Sequence, residues 1–305
     1  MIGRITPLMT TAQVLSNITN VEDQLSTTSE EMSTGKSINQ PSDNPYGASL
    51  AVSLNTDLSG LSDYSNNVTD GTAWTSAATS ALDNVQSMVQ RVQELVVGAS
   101  NGSESASDLQ ATQDEVNQLK DAIKQEANTQ YNGQYVFSGT ATGTEPYSSS
   151  TGDVFQGNTS SVTREIGPNS SVPVNADISS LLGSGSSAAD GKLLDTLTQI
   201  SNDLGGGTSA DVSDLATNQL NNLQTSLNNL EGLQANVGSA QNRLTLAGTR
   251  ITGLQTSDTA ALSNDEDANI AQTYTTYSNE QAALTAALRA GANIVQSSLM
   301  DFLTS

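Results

Sequence analysis

Ser263-Asn264-Asp265-Glu266-Asp267 brings three carboxylates together and is the stretch that most invites metal chemistry. Calcium takes clusters of oxygen ligands, but its loops need a Gly at the sharp turn, and none stands here. Ser263 followed three residues later by Glu266 has the spacing of a capping box. Acidic side chains in a first turn also suit the helix dipole, so this segment is expected to open the last helix rather than hold a metal. Thr34-Gly35-Lys36-Ser37 has the tail of a phosphate-binding loop, yet position 30 is Glu30 rather than Gly and the lead-in has a helical pattern, not a strand. Gly183-Ser184-Gly185-Ser186 lacks the strand-turn-helix setting of a dinucleotide loop and is expected to be a flexible linker. With no His and no Cys, imidazole-assisted nucleophiles, imidazole zinc sites and thiol chemistry are absent. A glycan-cleaving carboxylate pair is the enzymatic alternative, since Asp and Glu are plentiful, but they are scattered along polar faces. No catalytic, cofactor-binding or metal residue is expected, and no enzyme.

The elements that carry these segments say more. At the front, Ile5, Leu8, Ala12, Leu15, Ile18, Val21, Leu25 and Met32 recur at heptad-like steps. At the back, Ile270, Tyr274, Tyr277, Leu284, Leu288, Val295 and Phe302 do the same. Ordering backbone costs about 1 to 2 kcal/mol per residue, while burying a Leu or Ile returns about 1.5 to 3. A helix of about 30 residues with one apolar position in three or four therefore falls short alone. Pairing the two ends would help and would still leave flanks for other molecules to cover. These fifteen residues are the expected subunit-contact seam.

Between the ends, Gly35, Pro41, Asn44 and Pro45 mark a break, with Ser42 or Asp43 expected to cap the next helix and Pro45 in its first turn. Ala78, Ala81, Val85, Met88, Val92 and Leu95 then give one long helical face. Asn101-Gly102 is a turn after which Leu109, Val116, Leu119 and Ile123 resume, so the chain doubles back antiparallel. Asn132-Gly133 is expected to end that helix. From Gln134 to about Ala176 the period becomes two, which predicts a small β-rich insert. Leu193 to Ile200 predicts a short helix. A second rod follows through Leu220, Leu223, Leu227, Leu230, Leu233, Val237, Ala240, Leu244, Ala247, Ile251 and Leu254, with a local overwinding near Leu233.

The fold expected is thus mainly α with a small β-rich insert: an elongated antiparallel helical bundle with paired N- and C-terminal coiled-coil helices. Its parts are an N-terminal half of the axial coil (1–40), a first rod segment (41–133), a β-rich outer domain (134–190), a second rod segment (191–260) and a C-terminal axial half (261–305). At 305 residues, 35% hydrophobic and 4% aromatic, the composition is lean for one large globular core. Ten basic against 32 acidic residues, net −22, leave no patch for a phosphate backbone or an anionic lipid surface, so neither nucleic acid nor membrane is an expected partner. Gly3, Arg4, Thr6 and Pro7 interrupt the apolar positions after Met1, so export without a cleaved signal peptide is expected.

Met32-Ser33-Thr34-Gly35-Lys36-Ser37-Ile38-Asn39-Gln40-Pro41-Ser42-Asp43-Asn44-Pro45-Tyr46-Gly47-Ala48 resembles a signature segment of the flagellin superfamily. Gly133-Gln134-Tyr135-Val136-Phe137-Ser138-Gly139 is similar to the stretch that opens the outer domain in its hook-associated protein 3 family. Asn279 to Leu284 and Ser297 to Leu303 resemble the family's terminal helix. The resemblance implies a non-enzymatic structural adaptor of the bacterial flagellum. It implies assembly as a homo-oligomeric ring between a larger hook-associated junction protein and flagellin, unfolded type III export with a chaperone on the C-terminal helix, and an extracellular location. The alternatives are a flagellin filament subunit and, from other classes, a secreted adhesin or glycan hydrolase.

Overall fold

The computed structural model describes residues 7–102, 104–148, 153–186 and 188–304, with backbone alone for Pro7, Leu8 and 294–304. The described residues are mainly helical, and the strands among them form two small antiparallel hairpins. It divides into two compact units, one made of Met1–Gly60 with Leu254–Ser305 and one of Leu61–Gly253.

In the first unit, helix α1 spans Pro7–Thr34 and stops at Gly35, whose φ of +73° favours a residue without Cβ. Helix α2 runs Pro45–Ala99. Asn44, rather than Ser42 or Asp43, caps it: the Gly47 amide donates to Asn44 Oδ1 at 3.1 Å. Asp43 instead accepts from the amides of Asn39 and Gln40, which folds the Asn39–Pro41 turn back onto the cap. Gly47 has no room for a side chain, since a Cβ there would lie 2.5 Å from Ile38 Cδ1. Helix α7, Leu220–Glu266, ends within this unit, and α8, Ile270–Thr304, begins after Asn269. Ser263–Glu266 therefore closes a helix instead of opening one. Asn269 caps α8, accepting from the Gln272 amide. The expected capping box fails because Glu266 is drawn to Lys36, and Ser263 Oγ donates to Asp267.

In the second unit, α2 doubles back into α3, Ala106–Ala127. Ser105 and Asp108 form a reciprocal capping box at its start, and hydrogen bonding to Ser105 holds the Asp108 carboxyl below its ordinary range. Arg91 bonds Glu115 at 2.8 Å and Asn84 bonds Glu126 at 3.1 Å, which fixes α2 and α3 antiparallel. Gln234 to Asp83 and Gln241 to Ser76 set α7 antiparallel to α2 in the same way. The face from Leu223 to Ile251 is buried at Leu223, Leu227, Leu230, Leu233, Val237, Ala240, Leu244, Ala247 and Ile251, against Ala78, Leu82, Val85, Val89, Val92 and Val96 of α2.

Asn132-Gly133 does not stop a helix. Both residues have positive φ, 49° and 75°, and form the two-residue turn between β1, Gln130–Tyr131, and β2, Gln134–Tyr135. Beyond it, Val136, Phe137 and Ser138 are buried, and Gly139 turns so tightly that a Cβ would sit 2.0 Å from the Asn158 carbonyl oxygen. Strands β3, Thr163–Gly167, and β4, Ser170–Pro173, form the second hairpin. It packs on the helices through Val172 and Val174, with Gly71 leaving room for Val174 and Leu244. Arg164 lies 5.7 Å over the buried Trp74 ring and bonds Asp70 at 2.6 Å.

A one-turn helix α4, Ser179–Leu182, is followed by Gly183–Ser186, which is packed rather than loose: Ser184 donates to Asp190, Ser186 to Asp153, and a Cβ on Gly183 would strike Asp190. Helix α5, Leu193–Gly206, and helix α6, Ser209–Asp214, then lead into a π-helical turn at Leu215–Gln219 that merges with α7. No helix among the described residues is long and apolar enough to cross a membrane.

Candidate assembly surface

Helices α1 and α8 run side by side, joined through a clasp at the foot of α1. The Ala268 amide donates to the Gly35 carbonyl at 2.9 Å and the Ser37 amide to the Glu266 carbonyl at 2.7 Å. Lys36 Nζ lies 2.7 Å from Glu266 Oε1. Lys36, whose surroundings only superficially match the tail of a phosphate-binding loop, is thus committed to a carboxylate. That cation also offsets the acidic charge that Glu266 and Asp267 place at the C-terminal end of α7, where the helix dipole disfavours it.

Among the partly or wholly buried positions of α1, Thr11, Val14, Ile18, Val21, Leu25, Thr28 and Met32 follow one another in steps of three and four, with Thr10 and Glu31 flanking the row. On α8 they read Thr273, Tyr277, Glu280, Leu284, Ala287 and Gly291, again in threes and fours. This is an antiparallel heptad seam. Gly291 is the close-approach point, where an added Cβ would stand 3.2 Å from Val14 Cγ1 and 3.5 Å from Ile18 Cδ1. Thr28 and Thr273 are buried in it, and Glu280 enters it with Oε2 buried and unpartnered among the described residues.

The expected seam residues divide into two sets. Ile18, Val21, Leu25, Met32, Tyr277 and Leu284 lie in the intramolecular seam, half-buried. Ala12, Leu15, Ile270, Tyr274 and Leu288 point away from it: Leu15 is 64% exposed, Ile270 51%, Tyr274 61% and Leu288 50%. Ile5 falls outside the described residues, and of Leu8, Val295 and Phe302 only the backbone is described. Met9, 62% exposed, joins the outward set without having been singled out. Val14 and Gly291 went unrecognised as seam residues. For Val14 the signal was available, because 14, 18, 21 and 25 continue a three-four rhythm that 12 and 15 break.

Of the outward residues, Leu15 and Leu288 line an open groove of about 210 Å³, together with Thr11, Val14, Ile18, Gly291 and Ala292. Its walls are nearly all apolar, so it offers packing and no chemistry. Neither the groove nor the clasp brings together a nucleophile and a base, and no group of three or more acidic, His or Cys residues suited to a metal occurs among the described residues.

Residues 5–142 match the family model of the bacterial flagellin N-terminal helical region. The flagellar hook-associated protein 3 of Salmonella typhimurium is 35% identical over 164 residues, 53% of this chain and 51% of that protein. The phase 1 flagellin of Salmonella naestved is 36% identical over 124 residues, 40% of this chain and 25% of that protein. The chain thus spans about half the length of the curated hook-associated protein it matches. Among solved structures, a flagellar hook-associated protein from Vibrio parahaemolyticus superposes with a TM-score of 0.66, covering 74% of this chain and 100% of its own at 21% identity, a likeness of fold. Residues 5–142 therefore carry a flagellin N-terminal helical region, and the chain resembles flagellar hook-associated protein 3 in sequence and a flagellar hook-associated protein in fold.

Proposed function

We propose that this protein is a non-enzymatic structural adaptor of the bacterial flagellum, joining the hook side of the junction to the flagellin filament through its terminal helices. The observation that carries the reading is the set of apolar side chains that the paired terminal helices leave exposed. Pairing α1 with α8 consumes one face of each helix and leaves Met9, Leu15, Ile270, Tyr274 and Leu288 in water. Each returns about 1.5 to 3 kcal/mol when fully buried, and only the surplus over the cost of association appears as affinity. Neighbouring molecules meet that need.

In this reading several copies form a ring, contacting a larger hook-associated junction protein on one side and flagellin on the other. The chain is exported to the cell exterior without a cleaved signal peptide, with an export chaperone holding its C-terminal helix. Deleting the gene in the source bacterium is expected to leave cells that secrete unpolymerised flagellin and do not swim, with recovery on re-expression. Normal filaments in the deletion strain would contradict the proposal.

The match to phase 1 flagellin favours one second reading, a filament subunit. The two part on behaviour: a filament subunit polymerises alone into long filaments when purified and seeded, whereas an adaptor stays short without its neighbours.

A further inference from the structure

We infer that the π turn at Leu215–Gln219 is a proton-controlled hinge, in which a proton shared between Asp203 and Asp214 holds α6 against α5 and its loss sets α6 free. This hinge lies outside the terminal helices and owes nothing to their assembly. Helix α6, Ser209–Asp214, buries none of its 6 residues, so apolar packing does little to hold it. Two breaks bracket it: the Gly205–Gly207 run that ends α5, with Gly207 at φ +60°, and the π turn that leads into α7. Asp214 and Gln219 are five apart, a spacing that an ordinary α-helix places on diverging faces. The extra residue of the π turn brings Gln219 over Asp214, and such turns concentrate at functional sites.

The polar contacts that hold α6 depend on that proton. Gln219, buried, donates through Nε2 to Asp214 Oδ2 at 2.7 Å, Asp203 Oδ2 at 3.2 Å and Gln199 Oε1 at 3.3 Å. An amide nitrogen carries two hydrogens, so it cannot serve three acceptors fully. Asp203 and Asp214 also lie within hydrogen-bonding reach of each other. With a proton between them the pair carries one negative charge and closes the cluster; without it, two like charges share a partly buried site and repel. The surroundings do nothing to offset that repulsion. The charges that bear on Asp203 are Asp214 and, more weakly, Asp211, whose carboxylate is engaged in capping α6 with Thr208. On α5 itself, Asp195 accepts from Gly191 and Gln199. From the π turn, the neutral Asn218 donates to the other oxygen of Asp214. From α3, the neutral Gln113 donates to the Ser201 carbonyl at 2.6 Å, while Asp108 is engaged in its capping box, Glu115 on Arg91, and Lys120 stands about two turns away. Helix α4, which also packs on α5, carries no charged residue. Burial first, and the charge of Asp214 second, push the Asp203 carboxyl up to about 6. Because that folded value lies above the ordinary one, the hinge is closed in acid and opens as pH rises through about 6.

The test follows amide hydrogen exchange by mass spectrometry in the full chain at pH 5 and pH 7.5, corrected for the intrinsic pH dependence of exchange. Peptides covering residues 208–220 are expected to lose protection at the higher pH by about tenfold or more, while those of α3 keep theirs. A carboxyl moved from 3.8 to about 6 sets the ceiling at about a hundredfold. In Asp203→Asn the difference between the two pH values is expected to vanish, since the new amide gives Asp214 a hydrogen that does not titrate. Asp214→Asn is the second variant should the first not fold, and is expected to shrink the difference by removing one of the two charges. Equal protection at both pH values in the unaltered protein would overturn the inference. So would a loss of protection that α3 shares, which would mean general loosening of the acidic molecule, or one that persists undiminished in the variants.

Discussion

A missing Cβ decides the conformation at Gly139. With φ at +64° and the Asn158 carbonyl where a methyl group would go, Gly139→Ala is expected to cost about 2 to 3 kcal/mol, measured by urea unfolding. Gly133, in the open hairpin turn with φ +75°, meets no atom, so Gly133→Ala is expected to cost about 1 kcal/mol, from backbone strain alone. Asp203 gives a residue-level pH dependence. Burial, and then the charge of Asp214, push its carboxyl from 3.8 up to about 6. A raised carboxyl binds its proton more tightly when folded, so its contribution is full below pH 3.8 and is lost as pH rises towards about 6. Asp203→Asn should therefore gain stability relative to the unaltered protein between about pH 4 and pH 7. A constant difference between the two unfolding curves would count against this. Asp108 and Asp211, held low by their capping bonds, act with the opposite sign, and their contribution disappears as pH falls through the ordinary carboxylate range.

At the scale of elements, the α1–α8 pair depends on a close approach rather than on charge. Gly291→Leu is expected to push the helices apart and to cost about 1 to 3 kcal/mol, seen as lost helical signal at lower temperature. Lys36→Met, by contrast, removes an ion pair whose lysine is 47% exposed and should change stability by less than about 1 kcal/mol. The clasp's two backbone hydrogen bonds remain. Helix existence was legible from sequence because the rods of α2 and α7 carry unbroken apolar rhythms. The face of α1 that meets α8 was not. Thr11, Thr28, Thr273 and Gly291 carry much of the seam with polar or small side chains, while Leu15 and Leu288 face outward and dominate a reading by apolarity. Asn132-Gly133 was misplaced for a related reason: the same dipeptide ends helices and turns hairpins, and only the pairing of Gln130 with Tyr135 decides. The π turn left no trace in composition, since its spacing is set by Asp214 meeting Gln219 in space.

The whole molecule combines a net charge of −22 with exposed apolar side chains on its first unit. Copies packed together repel, so assembly is expected to strengthen with salt until the exposed charges are screened, over about 0.05 to 0.3 M, as followed by light scattering. A flat response would remove charge from the account. The outward side chains also predict a separation of effects. Tyr274→Glu and Leu288→Glu should leave the monomer's helical content unchanged and its unfolding free energy within about 0.5 kcal/mol of the parent, because those side chains are already at least half exposed. Leu284→Glu, in the seam, should lower both.

The most direct measurement expresses Tyr274→Glu/Leu288→Glu in cells lacking the native gene and follows the variant, the filament and released flagellin together. The account predicts a protein that folds and is exported, yet leaves flagellin unpolymerised in the medium. Filaments of normal length on swimming cells, with the double variant as the only copy, would contradict it.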